Sequence, residues 1–78
     1  MEIKVLGPGC PKCTTLEKMT REVVAENSID ATVEKVDDIM KIMEYGIMRT
    51  PGMVINGKVA FSGRVPSKEE LKSIIENA

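Results

Sequence analysis

The fold of this 78-residue chain is decided by the stretch Ile3-Lys4-Val5-Leu6-Gly7-Pro8-Gly9-Cys10-Pro11-Lys12-Cys13. Its first residues are a short β-prone run, which the glycines and the proline that follow bring to an end. From Pro11 to about residue 26, apolar residues recur at helical spacing, and a proline suits the first turn of a helix. The two cysteines are therefore predicted to lie where a strand passes into a helix.

The middle of the chain predicts a second strand followed by a second helix. A β-branched run over residues 31–36 indicates the strand. Asp37 or Asp38 then caps a helix that runs to about Tyr45 and is closed by Gly46. Three methionines fall at helical apolar spacing and are predicted to fill the core, namely Met19, Met40 and Met43.

The last part of the chain predicts a hairpin and a final helix. Asn56-Gly57 lies between two β-prone runs, and a type I′ turn needs positive φ at both of its central residues. Ser67 and Glu70 form a capping box. The apolar stripe after it consists of Leu71, Ile74, Ile75 and Ala78. The order β-α-β-α-β-β-α predicts an α/β fold in which three helices flank a mixed four-stranded sheet.

Length and charge exclude several classes of protein. A chain of 78 residues has room for one domain, which we place over residues 1–78. The net charge of −1 argues against a basic surface for nucleic acid. The N-terminus does not resemble a signal peptide, and no apolar run is long enough to span a bilayer. We expect a soluble, cytoplasmic monomer that binds neither nucleic acid nor membrane.

The chain has two cysteines and no histidine. The absence of histidine excludes Ser-His-Asp and Cys-His nucleophile systems and zinc sites that contain histidine. Two cysteines are also too few for a disulfide-stapled secreted scaffold. In an intracellular protein, a close cysteine pair serves redox or metal chemistry more often than architecture.

The Cys10-Pro11-Lys12-Cys13 motif suits thiol–disulfide exchange. A free cysteine with a pKa of about 8.5 is mostly thiol at neutral pH, whereas the N–H groups and positive dipole end of a helix N-terminus favour the thiolate. Cys10, just outside the helix, is the predicted attacking thiolate. Cys13, one turn further on the same helix face, is the predicted resolving thiol.

Three other interpretations of the cysteine pair stay open. A purely structural disulfide across so short a loop contributes only about 1.9 kcal/mol in the chain-entropy model. The cysteines are alternatively two small buried residues with no chemical role. A soft-metal carrier would bind Cu(I) with the same two thiolates. Small carriers of that kind have Met two residues before the first cysteine, where this chain has Pro8, and they end in a strand rather than a helix.

Thr50-Pro51 lies between the second helix and the hairpin. A proline that opens a strand is ordinarily an edge or turn residue. The functional alternative is a cis-proline loop that faces the cysteines. Because cis bonds are only about 5–6% of X–Pro bonds, the residues alone do not decide between the two.

Taken together, these residues resemble the thioredoxin/glutaredoxin superfamily, and most closely the small thioredoxin-like proteins called redox-active disulfide protein 2. The resemblance covers essentially the whole chain and is carried by residues 9–13, by Thr50-Pro51 with its hairpin, and by Gly63. It implies a thioredoxin fold with Pro51 in cis and a Thr50 backbone that pairs with an extended substrate segment. It also implies a flavoprotein disulfide reductase as partner. The leading hypothesis is that the cysteines exchange electrons with protein disulfides, which needs no bound cofactor because the cysteines carry the electrons.

The sequence also departs from the superfamily pattern. Gly9 replaces the tryptophan that thioredoxins carry before the first cysteine, and Lys4 stands where they carry a buried acid. Lys4 is either a solvated strand residue or a cation that stabilises the thiolate. Lys12, which replaces the aromatic residue of glutaredoxins, is either a solvated helix residue or a contact for an acidic partner. Pro11, Lys12 and Lys4 are therefore the residues predicted to modulate the cysteines. Gly63 is not paired with a second glycine and an acid, which disfavours glutathione as a partner.

Overall fold

The computed structural model describes residues 1–78 and contains the predicted order of elements. The strands are β1 Glu2–Leu6, β2 Thr32–Val36, β3 Gly52–Ile55 and β4 Lys58–Ser62. The helices are α1 Pro11–Glu26, α2 Ile39–Glu44 and α3 Lys68–Glu76. None of these helices combines the length and the apolar composition that crossing a membrane requires. The predicted α/β fold class is confirmed.

The four strands form one mixed sheet in the order β2-β1-β3-β4. β1 and β2 are parallel, with Leu6 opposite Val36, whereas β3 is antiparallel to both β1 and β4. The ends of β1, β2 and β4 and the start of β3 therefore meet at one edge of the sheet. We call this the carboxyl edge. The cysteine motif, the Thr50-Pro51 loop and Gly63 all lie along it.

The two faces of the sheet carry cores of unequal size. Ile3 and Val5 of β1 belong to a cluster of nine buried residues on the face that α1 and α3 cover. Leu6 lies on the other face in a cluster of four, in which Ile42 is the only residue of α2. Most of the apolar burial that holds the fold together is therefore between the sheet and the pair α1 and α3.

Local signals place the turns and helix starts where the sequence predicts them. Asn56 has a φ of 50° and Gly57 a φ of 84°, so both central residues of the hairpin turn are left-handed, as a type I′ turn requires. The Asp38 carboxylate accepts the Met40 N–H at 2.9 Å and caps α2. This bond satisfies one of the N–H donors that the first turn of a helix leaves unpaired.

The start of α3 is only half a capping box. The Ser67 hydroxyl accepts the Glu70 N–H at 3.2 Å. The Glu70 carboxylate, however, forms an ion pair with Arg64 at 2.8 Å rather than bonding back to the Ser67 N–H. The predicted stripe is also one position too long, because α3 ends at Glu76 and Ala78 is exposed.

The prediction that Met40 and Met43 fill the core is wrong. These side chains are 71% and 63% exposed, whereas Met19 packs against the larger core as predicted. The reason is the shortness of α2, which has six residues and buries only Ile42. Its remaining apolar side chains have no second layer of protein to pack against.

Candidate active site

The segment between β1 and α1 brings the cysteine motif to the carboxyl edge. The Gly7 N–H donates to the Val36 carbonyl at 2.9 Å, which extends the parallel pairing beyond β1. Gly9 then has a φ of 92°, a left-handed conformation that glycine adopts at little cost. The chain turns there and enters α1 with Cys10 as the N-cap residue and Pro11 as the first helical residue.

Cys10 and Cys13 form a disulfide, and their Cα atoms are 5.0 Å apart. The Cys10 sulfur also accepts the Cys13 N–H at 3.2 Å, as the side chain of an N-cap residue does. Cys13 is 2% exposed, whereas Cys10 is half-buried. Cys10 is therefore the cysteine that an incoming molecule can reach.

The Thr50–Pro51 peptide bond is cis and leads into β3 at the same edge. Pro51 is buried, and its carbonyl accepts the Gly63 N–H at 2.8 Å, which ties the loop before β3 to the loop after β4. Thr50 is half-buried, and neither its N–H nor its C=O is hydrogen-bonded to the rest of the backbone. The N–H and C=O of Thr50 are therefore free to form hydrogen bonds with the backbone of an extended chain.

Lys4 lies on the face of the sheet opposite α1, because it alternates along β1 with Ile3 and Val5. Its ammonium donates to the Tyr45 hydroxyl at 3.4 Å and pairs with the Glu2 carboxylate at 3.3 Å. The Tyr45 contact, and after it the Glu2 contact, raises the pKa of Lys4 above its ordinary value. These partners connect β1 to the end of α2, and the predicted effect of Lys4 on the thiolate stays a prediction.

Lys12 is exposed in the first turn of α1, and two cations that sequence reasoning missed lie at the same edge of the sheet. The Lys35 Nζ lies 4.0 Å from the position that a Cβ on Gly9 would occupy. The Arg49 side chain approaches the corresponding position on Gly63 to 3.2 Å. Arg49 directly precedes the predicted proline loop, which was a usable signal. Lys35 reaches the motif only because β2 pairs with β1, and no local pattern indicates that.

The possible metal donors at the motif are the two cysteine sulfurs, which are joined in the disulfide. No group of three or more His, Cys, Asp or Glu side chains in the chain is arranged to hold a metal ion. Helix α2 follows β2 in this chain, whereas in the small copper carriers considered above the second strand is followed directly by a third. The architecture therefore favours disulfide chemistry over the alternative of a soft-metal carrier.

Comparison with known proteins agrees with this architecture. A family model described as the thioredoxin domain matches residues 1–76. The chain belongs to the thioredoxin family. It is a thioredoxin-type thiol–disulfide oxidoreductase, and Cys10 and Cys13 form its CxxC disulfide.

The similarity to individual thioredoxins extends over nearly the full length of the chain. A protein named thioredoxin from Methanothermobacter thermautotrophicus is 44% identical over 75 residues, which are 96% of this chain and 97% of that protein. A thioredoxin from Methanocaldococcus jannaschii is 40% identical over 78 residues, covering 95% of this chain and 90% of that protein. A second thioredoxin from that organism is 40% identical over 73 residues, covering 90% of this chain and 85% of that protein. The assignment to the thioredoxin family therefore rests on sequence similarity along nearly the whole chain and not on the cysteine motif alone.

Proposed function

We propose that this member of the thioredoxin family reduces disulfide bonds in proteins, with Cys10 as the nucleophile and Cys13 as the resolving thiol. The observation that carries the proposal is the asymmetry of the disulfide. Cys10 is half-buried at the N-cap of α1, whereas Cys13 is 2% exposed inside the helix. Attack on a substrate needs an accessible sulfur, but the resolving step takes place within the protein and does not.

The N-terminus of α1 supports a thiolate at Cys10 once the disulfide is reduced. The Cys13 N–H, 3.2 Å from the Cys10 sulfur, is positioned to donate to that thiolate. The positive end of the 16-residue helix adds to this effect. Hydrogen bonds and positive charge both favour the ionised form. We therefore expect the pKa of the Cys10 thiol to lie below that of a free cysteine.

The exchange proceeds in two steps that start from the reduced dithiol. The Cys10 thiolate attacks one sulfur of the substrate disulfide, so that a Cys10–substrate bond forms, the substrate S–S bond breaks, and the departing thiolate takes up a proton. Cys13 then loses its proton to solvent, attacks the Cys10 sulfur and releases the second substrate thiolate, which is protonated in turn. The two cysteines lose two electrons in total, and the substrate gains them as two thiols.

Thr50 and Pro51 are the residues we propose for substrate binding. The free N–H and C=O of Thr50 support pairing with an extended segment of the substrate on either side of its cystine. Buried Pro51, whose carbonyl is bonded to Gly63, supports this role by holding the position of Thr50 at the carboxyl edge. Backbone pairing does not depend on the substrate's side chains, which suits an enzyme that acts on many proteins.

The cycle needs a partner that returns two electrons to the disulfide. We infer a flavoprotein disulfide reductase for this step, and we assign the chain to the small thioredoxin-like proteins called redox-active disulfide protein 2. Both inferences rest on the resemblance of the cysteine motif and the proline loop to that group. A reductase of this kind works where thiols are kept reduced, which is the cytoplasm. The cysteines themselves carry the electrons, so that no bound cofactor is needed.

Insulin-disulfide reduction with dithiothreitol as electron source tests the proposal. Wild-type protein is expected to accelerate the reaction, and Cys10→Ser to abolish the acceleration. Cys13→Ser retains the nucleophile and is expected to accumulate a mixed disulfide through Cys10, detected by mass spectrometry without reductant. A mixed disulfide that accumulates in Cys10→Ser instead would reverse the two roles. Absence of exchange in the wild type, together with tight one-to-one Cu(I) binding, would favour the copper carrier.

A further inference from the structure

Three cations lie at the carboxyl edge, where the cysteine motif also lies. Lys12 lies within the motif, Lys35 reaches Gly9 from β2, and Arg49 lies against Gly63. All three residues are exposed, and none forms an ion pair within the protein. Their charges are therefore available to a molecule that approaches the disulfide.

The other charged side chains in the loops of this edge are one cation that is held in an ion pair and two carboxylates. Arg64 pairs with Glu70 at 2.8 Å. Asp38 accepts the Met40 N–H as the cap of α2. Asp37 and Asp38 are both exposed carboxylates without an ion pair in these loops. Three unpaired cations therefore outnumber two unpaired carboxylates at this edge, so that the sum of these charges is positive, although the net charge of the whole chain is −1.

A groove of about 410 Å³ beside the motif also has basic side chains in its lining. It runs between the first turn of α1 and the loop after β4, and its lining contains two cations and no acid. The lining residues are Pro11, Lys12, Thr15, Gly63, Arg64 and Val65. A substrate chain that lies in this groove would meet the unpaired ammonium of Lys12 and no carboxylate of the lining.

We propose that Lys12, Lys35 and Arg49 form a cationic rim that selects protein disulfides whose cysteines are flanked by acidic residues. The rim rests on the proposed function, because it acts on the substrate of that exchange reaction. A substrate strand paired with Thr50 lies next to Arg49, and a cysteine that meets Cys10 comes close to the two lysines. Complementary charge raises the rate of encounter and disfavours like-charged partners. Single exposed ion pairs are weak, so the selection depends on the three cations acting together.

The test is the single-turnover reduction of synthetic peptides by the fully reduced protein. Three peptides share one intramolecular disulfide and one length and differ only in flanking residues, which are Glu, Gln or Lys. At an ionic strength of about 0.01 M, where the Debye length is about 30 Å, we expect the acidic peptide to react about tenfold faster than the neutral one. At about 1 M, where the Debye length is about 3 Å, the ratio should approach one.

A charge-reversed variant and a matched control assign the selection to the rim. The rim variant combines Lys12→Glu, Lys35→Glu and Arg49→Glu and is expected to prefer the basic peptide. Reversal also affects the Cys10 thiolate, but this effect is common to all peptides and cancels in the ratio of acidic to neutral rates. The control combines Lys18→Glu, Lys58→Glu and Lys72→Glu, three exposed lysines away from the carboxyl edge and without ion pairs. It changes the net charge equally and should keep the wild-type ratio.

The possible failures can be told apart. A wild-type ratio of one, a ratio that persists at high salt, or an equal loss in rim variant and control overturns the rim while leaving the exchange activity intact. A wild type that fails to reduce even the neutral peptide overturns the proposed function itself. If the rim variant does not fold, glutamine at the same three positions removes the charges without adding acids, and it should bring the ratio to one.

Discussion

Gly7→Ala is expected to damage the site because a methyl group at position 7 would occupy the space of Cys13. A Cβ at this position would lie 2.7 Å from the Cys13 Cβ and would overlap the Cys13 sulfur. The backbone itself does not require glycine here, since Gly7 is outside the left-handed region. The extended conformation favoured before Pro8 also suits alanine. Steric overlap with Cys13 is therefore the only reason to expect that this substitution destabilises the protein.

The magnitude follows from which atoms collide. Both β-carbons are fixed to the backbone, so no rotation of a side chain relieves the contact, and α1 must move away from β1. Overpacking of this kind costs about 1–3 kcal/mol, which corresponds to a fall in Tm of roughly 4–24 °C for a domain of this size. The position of the Cys13 Cβ follows from the backbone of α1, which we expect to be retained when the disulfide is reduced. Both redox forms should therefore lose stability.

Urea and thermal unfolding of the oxidised and the reduced protein measure the effect, with insulin reduction as the functional readout. Gly57→Ala is the matched control, because its position has a φ of 84° but no heavy atom near the added Cβ. Gly57→Ala should lower the free energy of unfolding by about 1 kcal/mol, through its backbone conformation alone, and it should leave the exchange rate unchanged. A Gly7→Ala protein within about 0.5 kcal/mol of the wild type, the range of an ordinary surface change, would refute the packing argument.

Three further predictions concern single side chains. Lys4→Met is expected to raise the pKa of Cys10 in a thiol titration, because loss of a nearby cation disfavours the thiolate; an unchanged pKa would leave Lys4 with only its contacts to Tyr45 and Glu2. Arg64 lowers the pKa of Glu70 below its ordinary value of 4.5. Their ion pair therefore stabilises the folded state fully at pH values above 4.5, and this stabilisation is lost as the pH falls through the lowered pKa of Glu70 in the folded protein. Arg64→Gln should therefore raise the pKa of Glu70 in an NMR titration, and an unmoved pKa would exclude the pair in solution. Ser67→Ala removes the cap of α3 and should lower the free energy of unfolding by about 1 kcal/mol in urea, whereas Ser67→Gly should cost only a few tenths.

Most of the fold could be predicted from sequence because its decisive signals act locally. Pro11 fixes its own φ at the start of α1, and Asn56-Gly57 can adopt the two left-handed conformations that the hairpin turn requires. The Ser67 hydroxyl bonds a backbone N–H three residues away. Each of these preferences holds whatever the rest of the chain does. The order of elements followed from them, and the right-handed crossover rule then limited the possible topologies.

The site was predictable only in part, because some of its contacts join residues that are distant in sequence. The cysteine pair could be assigned from its spacing and its position before a helix. The approach of Lys35 to Gly9 depends on the pairing of β2 with β1, and the packing of Gly7 against Cys13 depends on how α1 lies on the sheet. Neither contact leaves a periodic pattern in the sequence.

The exposed methionines of α2 show what periodicity alone does not determine. Helical spacing identifies side chains that share one face of a helix, but burial also requires an opposing surface large enough to cover them. On the α2 side of the sheet that surface consists of Leu6, Val36 and Val54, and it is covered by Ile42 together with the half-buried Tyr45 and Ile47. Met40 and Met43 extend past it into solvent. On the other side, the nine-residue core is shared by two helices, and Leu16 and Leu71 at the same kind of spacing are completely buried. The size of the core on each side of the sheet therefore decided which of two similar apolar patterns was buried.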